Sequence, residues 1–156
     1  MKPDINDMHP VLLERFLKFK FIASESSQVP FAGTCILRTP VEQTALYAQG
    51  RLPLAHVQDL RKEAGMRPLA PSDNLYKVTW TMNSKHFPDA NGKSRAFDIA
   101  VLKNGREATW DLKWDGDKDS VADYRELANL ADQCGLVSGG LAFGDWPHFQ
   151  LPADVV

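Results

Sequence analysis

The sequence predicts an α+β fold, a small antiparallel sheet packed against several helices. Three observations carry that expectation. Apolar residues recur at helical spacing in four stretches, 10–22, 40–49, 52–65 and 121–134. Between them lie short apolar or alternating runs at 31–37, 76–82, 97–102 and 107–114, the pattern of strands. No repeated βα unit, phosphate-binding glycine fingerprint or GxSxG is present.

The elements follow in order. Pro10 suits the first turn of a helix running to Ile22, because its missing amide proton is not needed there. Leu13, Phe16, Leu17 and Phe21 form the stripe expected to face the core, and His9 before it reads as a cap or surface residue. Phe31–Leu37 reads as a strand ending at Arg38. Thr39-Pro40-Val41-Glu42 is a capping box, so a helix begins there and runs to about Gln49, with Gly50 as its stop. This puts Arg38 at a strand-to-helix junction, where a side chain can enter a cleft or form a surface salt bridge. Leu52–Gly65 reads as the next helix, with His56 on its surface, and Met66–Asn74, holding Pro68 and Pro71, as a loop. Tyr76–Met82 alternates as a strand should and would deliver Ser84 and His86.

Phe97, Ile99 and Val101 alternate with Asp98, Ala100 and Leu102 as in a strand buried on at least one face. Asn104-Gly105 marks a hairpin, and Glu107–Trp114 returns with Ala108, Trp110 and Leu112 on one side. Trp110 and Trp114 are core aromatics or the wall of a groove. Asp115, Asp117, Asp119 and Glu126 have the spacing of a calcium loop, but Ser120 stands where that loop wants glycine. The simpler reading is that Asp119 or Ser120 caps a helix from Val121 to Cys134, whose buried stripe is Tyr124, Leu127, Ala128 and Ala131. Gly135 ends it. Gly139-Gly140 reads as a flexible lead into a turn around Pro147, after which Phe149 and Leu151 face the core while His148 and Gln150 face a site.

Chemistry concentrates in two places, Ser84-Lys85-His86 with Asp98 downstream, and Asp145-Trp146-Pro147-His148. Singly, each of these residues is more commonly a hydrogen-bonded or surface side chain. Together, His86, Asp98 and His148 make a three-ligand zinc set, with the fourth position left for water. Asp145, three residues before the last ligand, stays free to take and return a proton, as hydrolysis requires. A buried strand carboxylate such as Asp98 needs a partner, and zinc would be one.

The pattern Ser-x-His, Arg-Ala-Phe-Asp-Ile-Ala, Gly139-Gly140 and Asp-x-x-His-Phe-Gln resembles the zinc D-Ala-D-Ala carboxypeptidase and L-alanyl-D-glutamate endopeptidase family. The likeness runs from about His9 to Pro152, and Arg38 to Arg51 resembles the phage endolysin branch. The resemblance implies a Hedgehog/D-Ala-D-Ala peptidase-like fold, with His86, Asp98 and His148 as zinc ligands and Asp145 as acid/base. It also implies that Arg38, with Ser84, holds substrate. Ser94 stands where the family has glycine, Ser138 where an aromatic is frequent, and 87–93 lengthens the loop between the first two ligands. The implied activity is hydrolysis of a peptidoglycan stem peptide between L-Ala and D-Glu. Removal of a terminal D-Ala is the related alternative. A non-catalytic zinc module, as in Hedgehog signalling domains, is the other, against which Asp145 argues.

Composition sets the frame. At 156 residues, 44% hydrophobic and 24% charged, the chain suits a single catalytic domain over 1–156 without a separate wall-binding domain. A net charge of -2 offers no general attraction to nucleic acid or anionic membrane. Cys35 and Cys134 read as small, buried, reduced residues. The polar N-terminus Met1–Asp7 has no apolar core of a secretion signal, and no run reaches the roughly 20 apolar residues of a span. The expectation is a monomer made in the host bacterial cytoplasm. The resemblance supplies release to the cell wall through a holin.

Overall fold

The computed structural model describes residues 3–156, so Met1 and Lys2 at the head of the polar N-terminus lie outside the described residues. The strand expected around Asp98 is the axis of the sheet. It is β2 (Ala96–Lys103) and pairs antiparallel with β1 (Phe31–Cys35), β3 (Glu107–Thr109) and β5 (His148–Gln150), while β4 (Val137–Ser138) adds outside β5. Asp98 is paired with both Cys35 and His148. A residue with two antiparallel partners has one on each edge, so β1 borders one side of β2 and β5 the other.

Alternation then sorts the side chains onto two faces. Phe97, Ile99 and Val101 are buried in the main core with Phe149 and Leu151. Phe97 and Phe149 stack at 5.3 Å, and Phe19 lies 4.9 Å from Phe149. Asp98, Cys35 and His148 share the opposite face.

The described residues form five α-helices: α1 (Pro10–Ile22), α2 (Pro40–Ala48), α3 (Leu54–Glu63), α4 (Asp123–Asn129) and α5 (Gly139–Phe143). Pro10 opens α1 and His9 caps it, its Nδ1 accepting from the Val11 amide at 3.1 Å. The stripe is set at a different phase from the one expected. Leu12, Phe16 and Phe19 are buried, whereas Leu17 and Phe21 are exposed. Both phases are apolar in this sequence, and only the sheet decides between them. At α2 the capping box forms as expected, with Thr39 Oγ1 accepting from the Glu42 amide and Glu42 reaching back. Val57 of α3 packs with Ala48 and Leu69 in a smaller second core.

Four expectations need correcting. Tyr76–Met82 is not a strand but an irregular loop, because no neighbouring strand offers it a ladder; Tyr76, Val78, Trp80 and Met82 stand exposed. The returning arm of the hairpin ends at Thr109, so Trp110 and Leu112 are exposed and Trp114 packs on the core. The turn itself is as expected, with Asn104 and Gly105 both at positive φ. The helix expected over Val121–Cys134 is shorter, starting after Ala122 with no side-chain cap and breaking after Asn129 before a 3-10 turn at Asp132–Cys134. Gly139-Gly140 is the first turn of α5, capped by Ser138 Oγ accepting from the Leu141 amide.

The long connection from His86 to Asp98 bulges outward with its ends pinned. Asp89 Oδ1 accepts from the Asn91 and Lys93 amides, and the Arg95 amide donates to the Lys85 carbonyl.

Candidate metal centre

His86 and His148 reach the same oxygen of Asp98. His86 Nε2 lies 3.1 Å and His148 Nδ1 3.0 Å from Asp98 Oδ1, with the rings 5.1 Å apart and nearly perpendicular. The outer nitrogens are held separately. His86 Nδ1–H donates to the Ile36 carbonyl at 2.7 Å, and His148 Nε2–H donates to Gln150 Oε1 at 2.9 Å. Because a carbonyl only accepts, the His86 proton sits on Nδ1 and its Nε2 lone pair faces inward.

Two imidazole lone pairs thus face one carboxylate oxygen and repel it unless a cation lies between them. This donor set suits zinc or a neighbouring first-row metal, and the outer hydrogen bonds orient the ligands as metal sites require. In the metal-free protein a proton takes that place. Burial opposes a charge on His86, but the hydrogen bonds to Asp98 and Cys35 overcome it and raise the imidazole to about 10. Burial likewise pushes Asp98 up, and the bonds from His148 and His86 hold it well below the usual carboxylate range.

Cys35 is a residue that sequence reasoning missed. It is half-buried rather than buried, and its sulfur, His86 and Asp98 offer ligand atoms within 4.8 Å of one another. This metal-capable group shares two members with the His86–Asp98–His148 set. Cys35 Sγ approaches His86 through Nδ1 at 3.7 Å, the nitrogen already committed to Ile36, whereas His86 Nε2 and His148 Nδ1 both face Asp98 Oδ1. The signal available in the sequence was position alone, three residues before Arg38 at the end of a strand.

Arg38 lies in the site, not on the surface. Its guanidinium donates to Gln43 Oε1 at 2.9 Å and Cys35 Sγ at 3.3 Å, and contacts Asp98 Oδ2 at 3.4 Å. Ser84 lines the same cavity, where its Oγ accepts from the His86 amide at 3.1 Å and so shapes the turn that presents the ligand. Asp145 lines it too. Burial and the charge of Asp98 push its carboxyl up, opposed by His148, His86 and Arg38. The turn carrying Asp145 and His148 closes on Gly139 and Gly140. A Cβ on Gly139 would stand 2.7 Å from the Asp145 carbonyl oxygen, and one on Gly140 would collide with the Trp146 ring.

The cavity has a volume of about 890 Å³. It is lined by His86, Asp98, Asp145 and His148, by residues of the 76–84 loop, and by Trp110 and Phe143. The acidic run lies elsewhere. Asp117, Asp119 and Glu126 offer oxygens within 4.8 Å of one another, as do Asp115, Asp117 and Asp123, and Ser120 takes a φ of 75°. Asp119 and Ser120 do not cap α4 as expected; the Asp119 side chain accepts instead from the Val121 amide. His56 is exposed on α3.

No family model matches the chain. Among curated proteins it is 28% identical over 95 residues to the peptidoglycan L-alanyl-D-glutamate endopeptidase CwlK of Bacillus subtilis (strain 168), a match covering 56% of this chain and 57% of the relative. The chain therefore aligns with little more than half of that relative's length. A solved structure of the LdcB LD-carboxypeptidase aligns over 97% of this chain and 63% of its own, at a TM-score of 0.45 and 14% identity. With the separated motifs of its sequence and a curated peptidoglycan endopeptidase as its relative, the chain resembles the VanY-like peptidoglycan peptidases.

Proposed function

We propose that this protein is a zinc-dependent peptidoglycan peptidase that hydrolyses a stem-peptide amide, between L-Ala and D-Glu, and acts as a phage endolysin. The observation that carries the proposal is the convergence of His86 Nε2 and His148 Nδ1 on Asp98 Oδ1, each ring locked by a hydrogen bond on its far side. The relative named as an L-alanyl-D-glutamate endopeptidase supports the choice of bond.

In this reading His86, Asp98 and His148 hold a single zinc, which supplies Lewis acidity toward the scissile carbonyl. Asp145 accepts a proton from the attacking water and returns it to the leaving amine. Its raised affinity for protons, from burial and from Asp98, suits both halves of that task. Arg38 turns a cation toward the cavity and holds an acidic group of the peptide, while Ser84 keeps the His86 turn in shape. Trp110, Phe143 and Pro147 limit water around the bound peptide. The fold from α1 to β5 forms one catalytic unit, acting on the wall as a monomer after release by a holin.

The test is turbidity of outer-membrane-stripped Gram-negative cells with wild type and Asp145→Ala, zinc content being measured on both. Wild type should clear the cells, and the variant should keep its zinc and lose about 10²-fold or more in rate. Products bearing new D-Glu amino termini assign the bond, whereas free D-Ala assigns a carboxypeptidase. Fully zinc-loaded wild type that cleaves no sacculus overturns the proposal.

A further inference from the structure

Gln43 is an unusual residue for the middle of α2. It is a polar side chain with no solvent exposure, and each end of its amide is bonded. Oε1 accepts from Arg38 Nη1 at 2.9 Å, while Nε2 donates to the Thr81 carbonyl at 2.6 Å and to Thr79 Oγ1 at 3.0 Å. The orientation of the amide is fixed by its partners. A guanidinium can only donate and a carbonyl can only accept, so turning the amide over would break both contacts.

What these bonds join matters more than their number. On one side is Arg38, the cation beside Asp98. On the other is the 76–84 loop, a wall of the cavity that has no regular secondary structure to hold it. Exposed Tyr76, Val78, Trp80 and Met82 lie on that loop. Other pins come from the same stretch: Arg51 donates to the Thr79 carbonyl and lies over Tyr47 and Trp80, and Gln49 donates to the Asp73 carbonyl. Gln43 differs from these in tying the 79–81 part of the wall to Arg38.

We infer that Gln43 is a positioning residue that sets the Arg38 guanidinium and the 79–81 wall in one geometry, so that the wall fits the peptide only while Arg38 faces the site. The inference rests on the proposed peptidase activity for its kinetic readout and on the structure alone for its physical one. Two variants of the full chain separate the two bonds. In Gln43→Glu an oxygen still accepts from Arg38, but the donor facing the Thr81 carbonyl is lost. In Gln43→Met the shape is kept and both bonds go.

The wall is read by ¹⁹F spectra of protein labelled with 5-fluorotryptophan, the Trp80 signal being assigned by Trp80→Phe. Zinc content and thermal unfolding are measured beside it. The Trp80 signal should move or broaden in both variants while zinc stays bound. With a stem-peptide fragment, Gln43→Glu should raise KM about tenfold and leave kcat nearly unchanged, the loss of one set of hydrogen bonds to the wall. Gln43→Met should raise KM and also lower kcat about tenfold or more. An unmoved Trp80 signal in both variants overturns the inference, as does an equal loss of kcat in the two. If wild type cleaves nothing, the peptidase reading fails, and the Trp80 signal still decides the inference.

Discussion

Replacing Gly50 by alanine tests how the cavity wall is seated. Gly50 follows α2 with a φ of 75°, and an added Cβ would lie 2.7 Å from the Lys77 nitrogen and the Tyr76 carbonyl carbon and 2.8 Å from the Tyr76 oxygen. These are backbone atoms and cannot rotate away. The contact must open from 2.7 Å to the 3.4 Å of ordinary packing, which pushes the start of the wall outward by about 0.7 Å. A left-handed alanine costs about 1–2 kcal/mol, and the overpacking adds about 1–3 kcal/mol. Gly65 supplies the control, since its φ is 71° and nothing lies within 4 Å of the added carbon. Gly65→Ala should therefore carry the backbone cost alone. The difference between the two variants, about 1–3 kcal/mol, corresponds to roughly 2–12 °C in Tm for a domain of this size. Calorimetry measures it, and kinetics on a stem-peptide fragment should show KM raised for Gly50→Ala only. Equal Tm values for the two variants would refute the seating of the 76–77 backbone against Gly50.

Other outcomes follow from the same structure. Tyr124 is buried, donating to the Thr109 carbonyl at 2.7 Å and accepting from the Val101 amide at 3.2 Å, so Tyr124→Phe should cost about 1–3 kcal/mol in urea unfolding by leaving buried groups unpaired. Through His86 and Asp98, the metal-stripped protein should gain most stability between about pH 4 and 6.5. His86, raised from 6.5 to about 10, contributes fully below 6.5 and loses that contribution as pH climbs through 10, whereas the depressed Asp98 loses its contribution as pH falls below 3.8. Tm against pH for chelator-treated protein checks this, and His86→Ala should flatten the alkaline limb. Glu126 is pushed up to about 7 by burial and by the charges of Asp117 and Asp119, so its contribution is fully present below 4.5 and is lost as pH rises through 7. Glu126→Gln should accordingly raise Tm at pH 8 and leave it unchanged at pH 4. A calcium-induced rise in Tm that this variant abolishes would assign an ion to the acidic loop, and no rise would leave that loop a turn.

The sequence made much of the sheet legible because alternation is a local signal. Phe97, Ile99 and Val101 define a buried face without reference to any other segment, and Asn104-Gly105 fixes its own turn. The candidate ligands were readable by residue type, and the structure places His86 and His148 against Asp98. Other features depend on partners distant in sequence. Tyr76–Met82 alternates as a strand does but meets no strand, so the side chains of α2 and Arg51 hold it instead. The phase of α1 could not be read because Leu17 and Phe21 are as apolar as Leu12 and Phe19, and only the position of the sheet selects one face. Cys35 carries no motif of its own, and Gln43 lies in the Arg38–Arg51 stretch without a role that the pattern assigns. Their importance comes from register against Asp98 and from a bond to Arg38, neither of which is visible in a linear pattern.

The pairing of Asp98 with His148 has a consequence for how the chain reaches its native state. Phe149 and His148 point to opposite faces, so sliding β5 by one residue would turn the imidazole into the apolar core and the phenyl ring toward the site face. The same slip would take His148 away from Asp98. Under the proposed metal binding, capture of the ion would serve as a proofreading step in assembly, since only correctly registered chains bring His148 to Asp98 and are drawn out of the misaligned population.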